Sequence, residues 1–119
     1  MDVWKHGRYV DLWSLVHLLS GVALALMCYG LGYDFWSAAI LSIALLIAWE
    51  SFEWMIGIIE PSPNVGVDLA VGVLGFILGT CWHYLLGNAF NLLAFSAILL
   101  ITIGLSLWGF LDFRSRGYR

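Results

Sequence analysis

The chain has 119 residues, of which 62% are hydrophobic and only 11% are charged, and its mean hydropathy is +0.93. Soluble domains contain roughly 25% charged residues, so one soluble domain of this length could not bury so much apolar surface. The net charge of −3 and the lack of a basic run argue against nucleic acid as a partner. The composition therefore predicts a single integral membrane domain over residues 1–119.

Four apolar segments are long enough to cross the hydrocarbon core, which takes about 20 residues in a helix. We expect transmembrane helices over about residues 10–29, 35–59, 65–86 and 90–111. The connecting segments are short and contain glycine, proline and asparagine, which favour turns. Such short links force consecutive helices to run in opposite directions. The predicted fold class is an all-α membrane protein, a four-helix transmembrane bundle with antiparallel neighbours.

The positions of the basic residues predict the orientation of this bundle. All five lie near the two ends of the chain, at Lys5, Arg8, Arg114, Arg116 and Arg119. Lysine and arginine are enriched in the cytoplasmic segments of membrane proteins, and four spans place both termini on one side. We therefore expect both termini to be cytoplasmic.

Asp11 and His83 are expected at the membrane interfaces. Four other histidine or acidic side chains lie within the predicted spans, where charge is costly and usually serves a function. They are His17 in the first span, Glu50 and Glu53 in the second, and Asp68 in the third. With a rise of about 1.5 Å per residue, all four fall in the cytoplasmic third of the bundle. Glu50 and Glu53 are three residues apart and share one helix face. We expect the four side chains to form one buried cluster.

Glycines line one face of the third predicted span. Gly72, Gly75 and Gly79 follow Asp68 on one face of the helix. Small residues at this spacing allow two helices to approach closely. This face is therefore predicted to be packed, with Asp68 pointing into the bundle.

Two kinds of chemistry suit the predicted cluster. Imidazole and carboxylate groups bind divalent ions such as zinc, manganese or iron, so the same four residues are candidate metal ligands. Alternatively, they are catalytic residues, with His17 as a general base whose ring is oriented by an acid. Structural roles also remain open: His17 can hydrogen-bond to a neighbouring helix, and Asp68 can cap the third helix. The sequence does not decide whether the protein is an enzyme.

The order of these residues resembles a known family. The chain contains D-x5-H-x3-G from Asp11 to Gly21, A-W-E-S-F-E-W at residues 48–54, and N-V-G-V-D-L-A-V-G-V-L-G-F-I-L-G at residues 64–79. Over residues 11–79 it is similar to the VanZ-like superfamily of small bacterial integral membrane proteins. Members have a histidine in the first core helix, an acid followed three residues later by Glu or Gln, and a glycine-rich helix that carries an Asp.

Two departures make the YjdF-like branch of this superfamily the closer likeness. Residues 60–63 include no basic residue, and residues 71–73 include no asparagine, although VanZ-like members often have both. The resemblance implies a multi-pass protein of the bacterial inner (plasma) membrane. It also supports one set of functional residues, namely His17, Glu50, Glu53 and Asp68.

Three functions fit these observations. The leading hypothesis is that the cluster binds or modifies a lipid headgroup or a lipid-linked group, because its predicted depth is close to that of headgroups. The second is a non-catalytic membrane assembly subunit, whose acids bind another membrane protein or a second copy of this chain. The third is proton or ion transport, because intramembrane acids and histidines form such paths. The expected partners are membrane lipids and, under the second hypothesis, a protein.

Overall fold

The computed structural model describes residues 12–56, 62–86 and 88–116, and the side chains of residues 12–56, 65–86 and 92–112. Four α-helices account for most of these residues: α1 (Leu12–Gly30), α2 (Phe35–Met55), α3 (Ser62–Leu86) and α4 (Asn88–Arg116). Each helix contains a stretch that is long and apolar enough to cross a membrane. The prediction of an all-helical chain with four candidate spans is thus confirmed, and it fits a small multi-pass membrane protein.

Some residues of the sequence argument lie outside the described part of the chain. They are Lys5, Arg8, Asp11, Pro61 and Arg119, together with the side chains of Arg114 and Arg116.

The start of α2 has a local cause. The carboxylate of Asp34 accepts a hydrogen bond from the backbone N–H of Ser37 at 2.8 Å, which is the usual N-cap interaction. This hydrogen bond stabilises the ionised carboxylate and lowers the pKa of Asp34 below its ordinary value. The preceding turn uses Gly32 with a φ of 91°, a conformation that glycine adopts without a steric penalty.

Three helix ends differ from the predicted ones by three residues or more. The α2 helix ends at Met55 rather than at residue 59, and α3 begins at Ser62 rather than at residue 65. Pro63 therefore lies in the first turn of α3, where a backbone N–H has no helical acceptor and proline is tolerated. The α4 helix continues to Arg116, whereas its apolar stretch ends at Asp112. Residues 112–116 have the sequence DFRSR, which is more polar than the rest of α4. A helix does not need apolar residues to form, so α4 extends past its apolar stretch.

The centre of the molecule is α1, which contacts each of the other three helices and contacts α3 most closely. Within α1, 61% of an apolar 18-residue window is buried inside the protein, against 17% in α2 and in α4. Large apolar side chains of α2 and α4 point outwards, including Trp54 and Leu100. Such outward apolar surface suits contact with lipid chains rather than with water.

Glycines allow α1 and α3 to approach closely. A Cβ atom at Gly21 would collide with the carbonyl oxygen of Gly72, and one at Gly75 would collide with the carbonyl oxygen of Leu18. A Cβ atom at Gly79 would lie 2.7 Å from the Cβ of Ala25. The glycine face of α3 is therefore the packed face, as the stripe of small residues predicts.

Side chains also join α1 to α3 at the end away from His17. The Tyr29 ring stacks on the His83 ring with centroids 4.3 Å apart, and the Tyr29 hydroxyl lies 2.9 Å from Thr80 Oγ1. Together with the Gly21–Gly72 approach, these contacts fix α1 and α3 over most of their shared length.

The contacts of α1 with α2 and α4 set the position of the remaining helices. Cys28 lies 4.0 Å from Ser42 of α2, and the Trp13 and Phe110 rings meet edge to face at 5.5 Å. Leu26 packs in a buried cluster with Ala94 of α4. Among the described residues, the backbones of α2 and α4 do not approach each other, although ring centroids of Trp49 and Phe110 lie 5.9 Å apart.

Candidate functional site

Three helices bring the four ionisable residues together at one end of the bundle. His17 lies near the start of α1, Glu50 and Glu53 lie in the last turns of α2, and Asp68 lies in the second turn of α3. His17 and Glu53 are each 1% exposed, and Asp68 is fully buried. The predicted convergence of these four side chains is therefore present, and we call them the histidine–carboxylate cluster.

His17 is held by its own helix. Its Nδ1 lies 2.8 Å from the backbone carbonyl oxygen of Trp13, one turn earlier. A carbonyl oxygen can only accept, so Nδ1 carries the hydrogen and donates it. In a neutral imidazole, Nε2 is then the atom with a free lone pair. Nε2 faces α2 and lies 2.8 Å from Glu50 Oε1.

The two glutamates differ in their distance from His17. Glu53 Oε1 lies 4.0 Å from His17 Nε2, compared with 2.8 Å for Glu50. The Glu50 side chain retains 10% exposure, whereas that of Glu53 retains 2%. Glu50 is therefore the direct partner of the imidazole, and Glu53 contributes a nearby negative charge when it is ionised.

Asp68 lies near the other ring nitrogen of His17. Its Oδ2 lies 3.8 Å from His17 Nδ1, and its Oδ1 accepts a hydrogen bond from the Ser14 hydroxyl at 3.2 Å. Asp68 also lies beyond the first turn of α3, which contains no acidic residue. The possibility that Asp68 only caps this helix is therefore wrong, because its carboxylate is committed to contacts with α1.

The cluster has an unusual charge balance for apolar surroundings. Three carboxylates meet one imidazole, and the sequence contains no lysine or arginine between residues 9 and 113. Buried carboxylates need protons, hydrogen bonds or a cation to offset the loss of water. The cluster is thus suited to exchanging protons or to holding a cation.

Three of the four residues place a possible metal-binding atom close to those of the other two. His17, Glu50 and Asp68 each offer one donor atom, and these atoms lie within 4.8 Å of one another. The donor set of one nitrogen and carboxylate oxygens matches the preference of first-row divalent ions. Glu53 is close enough to complete the charge balance, but it does not belong to this group of three.

An apolar groove leads to the cluster from the side of the bundle. It has a volume of about 360 Å³ and lies where the backbones of α2 and α4 separate, with α1 as its floor. Leu24, Leu45 and Leu99 are among its lining residues, one from each helix. His17 and Ser20 also line the groove, so the imidazole is reached from an apolar channel.

Some of the remaining residues of this site have a signal in the sequence, and others have none. The spacing of three between Ser14 and His17 gave a signal for Ser14, since such residues share a helix face. The groove residues of α4, such as Thr102, carry no comparable signal because the predicted span over residues 90–111 contains no ionisable residue. Ser51 lies in the same segment as the glutamates, but its hydroxyl donates to the Ile47 carbonyl of its own helix.

Comparisons of the chain with protein-family models, with curated proteins and with solved structures gave no match. The similarity to the VanZ-like superfamily therefore stays a prediction, based on the residue pattern alone.

Proposed function

We propose that this protein binds or modifies the polar group of a lipid, either a headgroup or a lipid-linked group, at the histidine–carboxylate cluster. The proposal includes the predicted topology, in which neighbouring helices run antiparallel and both termini face the cytoplasm of a bacterial cell. The cluster then lies close to the cytoplasmic interface. His17 is about 8 Å along the axis from the start of α1, a depth that a lipid polar group can reach.

The observation that carries this proposal is the position of His17 on the wall of the apolar groove. A lipid chain can occupy a lateral opening between two helices without leaving the hydrocarbon. Its polar end would then meet His17, whereas Leu24, Leu45 and Leu99 would contact its chain. A polar cluster without an apolar approach would suit a structural role better.

The cluster supplies groups for proton transfer to such a ligand. His17 Nε2 and Glu50 Oε1 form a close pair in which one proton can be shared. The hydrogen bond from Nδ1 to the Trp13 carbonyl keeps the ring oriented during this exchange. His17 is thus the proposed general base, Glu50 its direct partner, and Glu53 and Asp68 the groups that stabilise positive charge on the imidazole.

A photo-crosslinking experiment tests whether the groove receives a lipid chain. The protein is placed in vesicles of phosphatidylethanolamine and phosphatidylglycerol that contain a phosphatidylglycerol with a diazirine on one acyl chain. We expect crosslinks to concentrate on the groove residues Leu45 and Leu99. Equal crosslinking across the exposed apolar face of α4, for example at Leu107, would show only general lipid contact and would contradict the proposal.

A pair of serine substitutions provides a matched control. Ser20→Phe places a ring in the groove beside His17, whereas Ser96→Phe adds the same ring on an exposed face of α4. We expect Ser20→Phe to reduce the crosslinks at Leu99 severalfold and Ser96→Phe to leave them unchanged. An unchanged pattern in a folded Ser20→Phe variant would mean that the groove is not the site of lipid binding.

A further inference from the structure

The geometry around His17 has the features of a metal ligand and its support. In protein metal sites, a ligating imidazole usually donates its other N–H to a carbonyl or carboxylate, which fixes the ring and its tautomer. Here Nδ1 donates to the Trp13 carbonyl, so that Nε2 faces the carboxylates of α2. The side chain of His17 is 2% exposed, so this orientation is enforced by packing.

His17 Nε2 and Glu50 Oε1 face each other, so a proton or a metal ion must lie between them or be bound to one of them. Nε2 and Oε1 are 2.8 Å apart, yet neither forms a hydrogen bond of regular geometry with the other or with any further described group. Two lone pairs at this distance repel each other unless a proton or a metal ion joins them. A divalent ion also offsets more of the carboxylate charge than a single proton does.

The carboxylate of Asp68 completes a set of three donors from three helices. Its donor atom and those of His17 and Glu50 lie within 4.8 Å of one another, so a small shift of side chains would bring them around one ion. Ser14 holds the second oxygen of Asp68 by a hydrogen bond, as groups around metal ligands commonly do. Glu53 lies beside this set and adds a further carboxylate.

We propose that His17, Glu50 and Asp68 form a binding site for a first-row divalent metal ion, such as Zn²⁺ or Mn²⁺. The ion would join α1, α2 and α3 at one end of the bundle. It would also give an acidic site a local positive charge, which suits the phosphate of a lipid polar group. The metal site does not depend on the proposed lipid function, and the two can fail separately. With an ion on Nε2, His17 would be a ligand and not a general base, so its role in proton transfer applies to the metal-free cluster.

Metal loading of the purified protein tests this proposal. Tag-free protein in detergent is stripped with a chelator and dialysed against Zn²⁺ or Mn²⁺ alone, and bound metal is measured by mass spectrometry. The variants are Glu50→Gln and Asp68→Asn. The control is Asp34→Asn, which removes an exposed carboxylate outside the spans. We expect about one ion per chain in the wild type and the control, and an affinity roughly tenfold lower or worse in the two cluster variants.

Two results would overturn the metal site. The first is a wild-type protein that retains no Zn²⁺ or Mn²⁺ above a detergent blank. The second is equal binding by the wild type and by folded Glu50→Gln and Asp68→Asn variants. If these variants do not fold, the visible spectrum of Co²⁺ with the wild type decides. Absorption bands that differ from those of aqueous Co²⁺ support the site, and an unchanged aqueous spectrum overturns it.

Discussion

At the scale of single residues, the groups that orient His17 and Asp68 come from the helix of His17 itself. Trp13 and Ser14 precede His17 by four and three residues, so the helical repeat places both on its face of α1. One provides a carbonyl for Nδ1, and the other holds Asp68 by a hydrogen bond. The α1 helix thus carries the imidazole together with the groups that orient the site.

The sequence predicted which residues meet but not how they pair. Ionisable groups within apolar spans are informative because their burial is costly, and this pointed to all four cluster residues. Glu50 and Glu53 are equivalent by spacing, yet only Glu50 lies 2.8 Å from His17. That difference depends on the rotation of α2 and on side-chain rotamers, which a repeat in the sequence does not specify.

Substitution of Gly21 tests the close approach of α1 and α3. Gly21→Ala would place a methyl group against the backbone carbonyl of Gly72, which cannot move without shifting α3. We expect a loss of roughly 1–3 kcal/mol in the free energy of unfolding. Thermal unfolding in detergent, followed by circular dichroism, measures it as a lower midpoint.

Gly66→Ala is the matched control for this substitution. A Cβ atom at Gly66 meets nothing within 4 Å, and alanine favours helix formation over glycine by about 1 kcal/mol. We therefore expect Gly66→Ala to be neutral or slightly stabilising. Similar losses from both substitutions would contradict a steric role for Gly21.

At the scale of helices, the sequence predicted the spans better than their packing. Each span is apolar around most of its circumference, so the hydrophobic pattern does not mark an inner face. The glycine stripe of α3 identified a packed face, but it did not identify α1 as the partner. The separation of α2 from α4, and with it the groove, depends on how whole helices pack and has no signature in short segments.

The difference in burial between α1 and α4 leads to a second stability prediction. Leu26 of α1 is 1% exposed, whereas Leu100 of α4 is 71% exposed. Since lipid is as apolar as leucine, the cost of Leu→Ala in a membrane comes mainly from lost packing. We expect Leu26→Ala to reduce the free energy of unfolding by about 2 kcal/mol or more and Leu100→Ala to have little effect.

Unfolding of both variants in lipid nanodiscs provides the comparison. A larger loss for Leu100→Ala than for Leu26→Ala would mean that the outward face of α4 packs against another protein. That result would favour the hypothesis of an assembly subunit over an isolated bundle in lipid.

At the scale of the whole molecule, the proposed topology makes a prediction about accessibility. Tyr33 lies between α1 and α2, and Ser62 begins α3, so the proposal places them on opposite sides of the membrane. In a Cys81→Ser background, we expect an impermeant maleimide to label Tyr33→Cys in intact spheroplasts. Ser62→Cys should react only after the membrane is permeabilised. The reverse pattern would place both termini outside the cytoplasm.

The histidine–carboxylate cluster and the groove give the whole molecule one proposed task, which is to act on a lipid polar group. Lipid profiles of cells that lack this protein, supplied with the wild type, Glu53→Gln or Asp34→Asn, test this claim most directly. Glu53→Gln replaces an ionisable carboxyl group of the cluster by an amide of nearly the same shape, and Asp34→Asn makes the same kind of change in an exposed turn.

We predict that the wild type and Asp34→Asn restore the same lipid profile, and that Glu53→Gln leaves the profile of cells without the protein. If Glu53→Gln, present in the membrane at the level of the wild type, restores the profile fully, or if the profile never depends on the protein, the lipid function is contradicted.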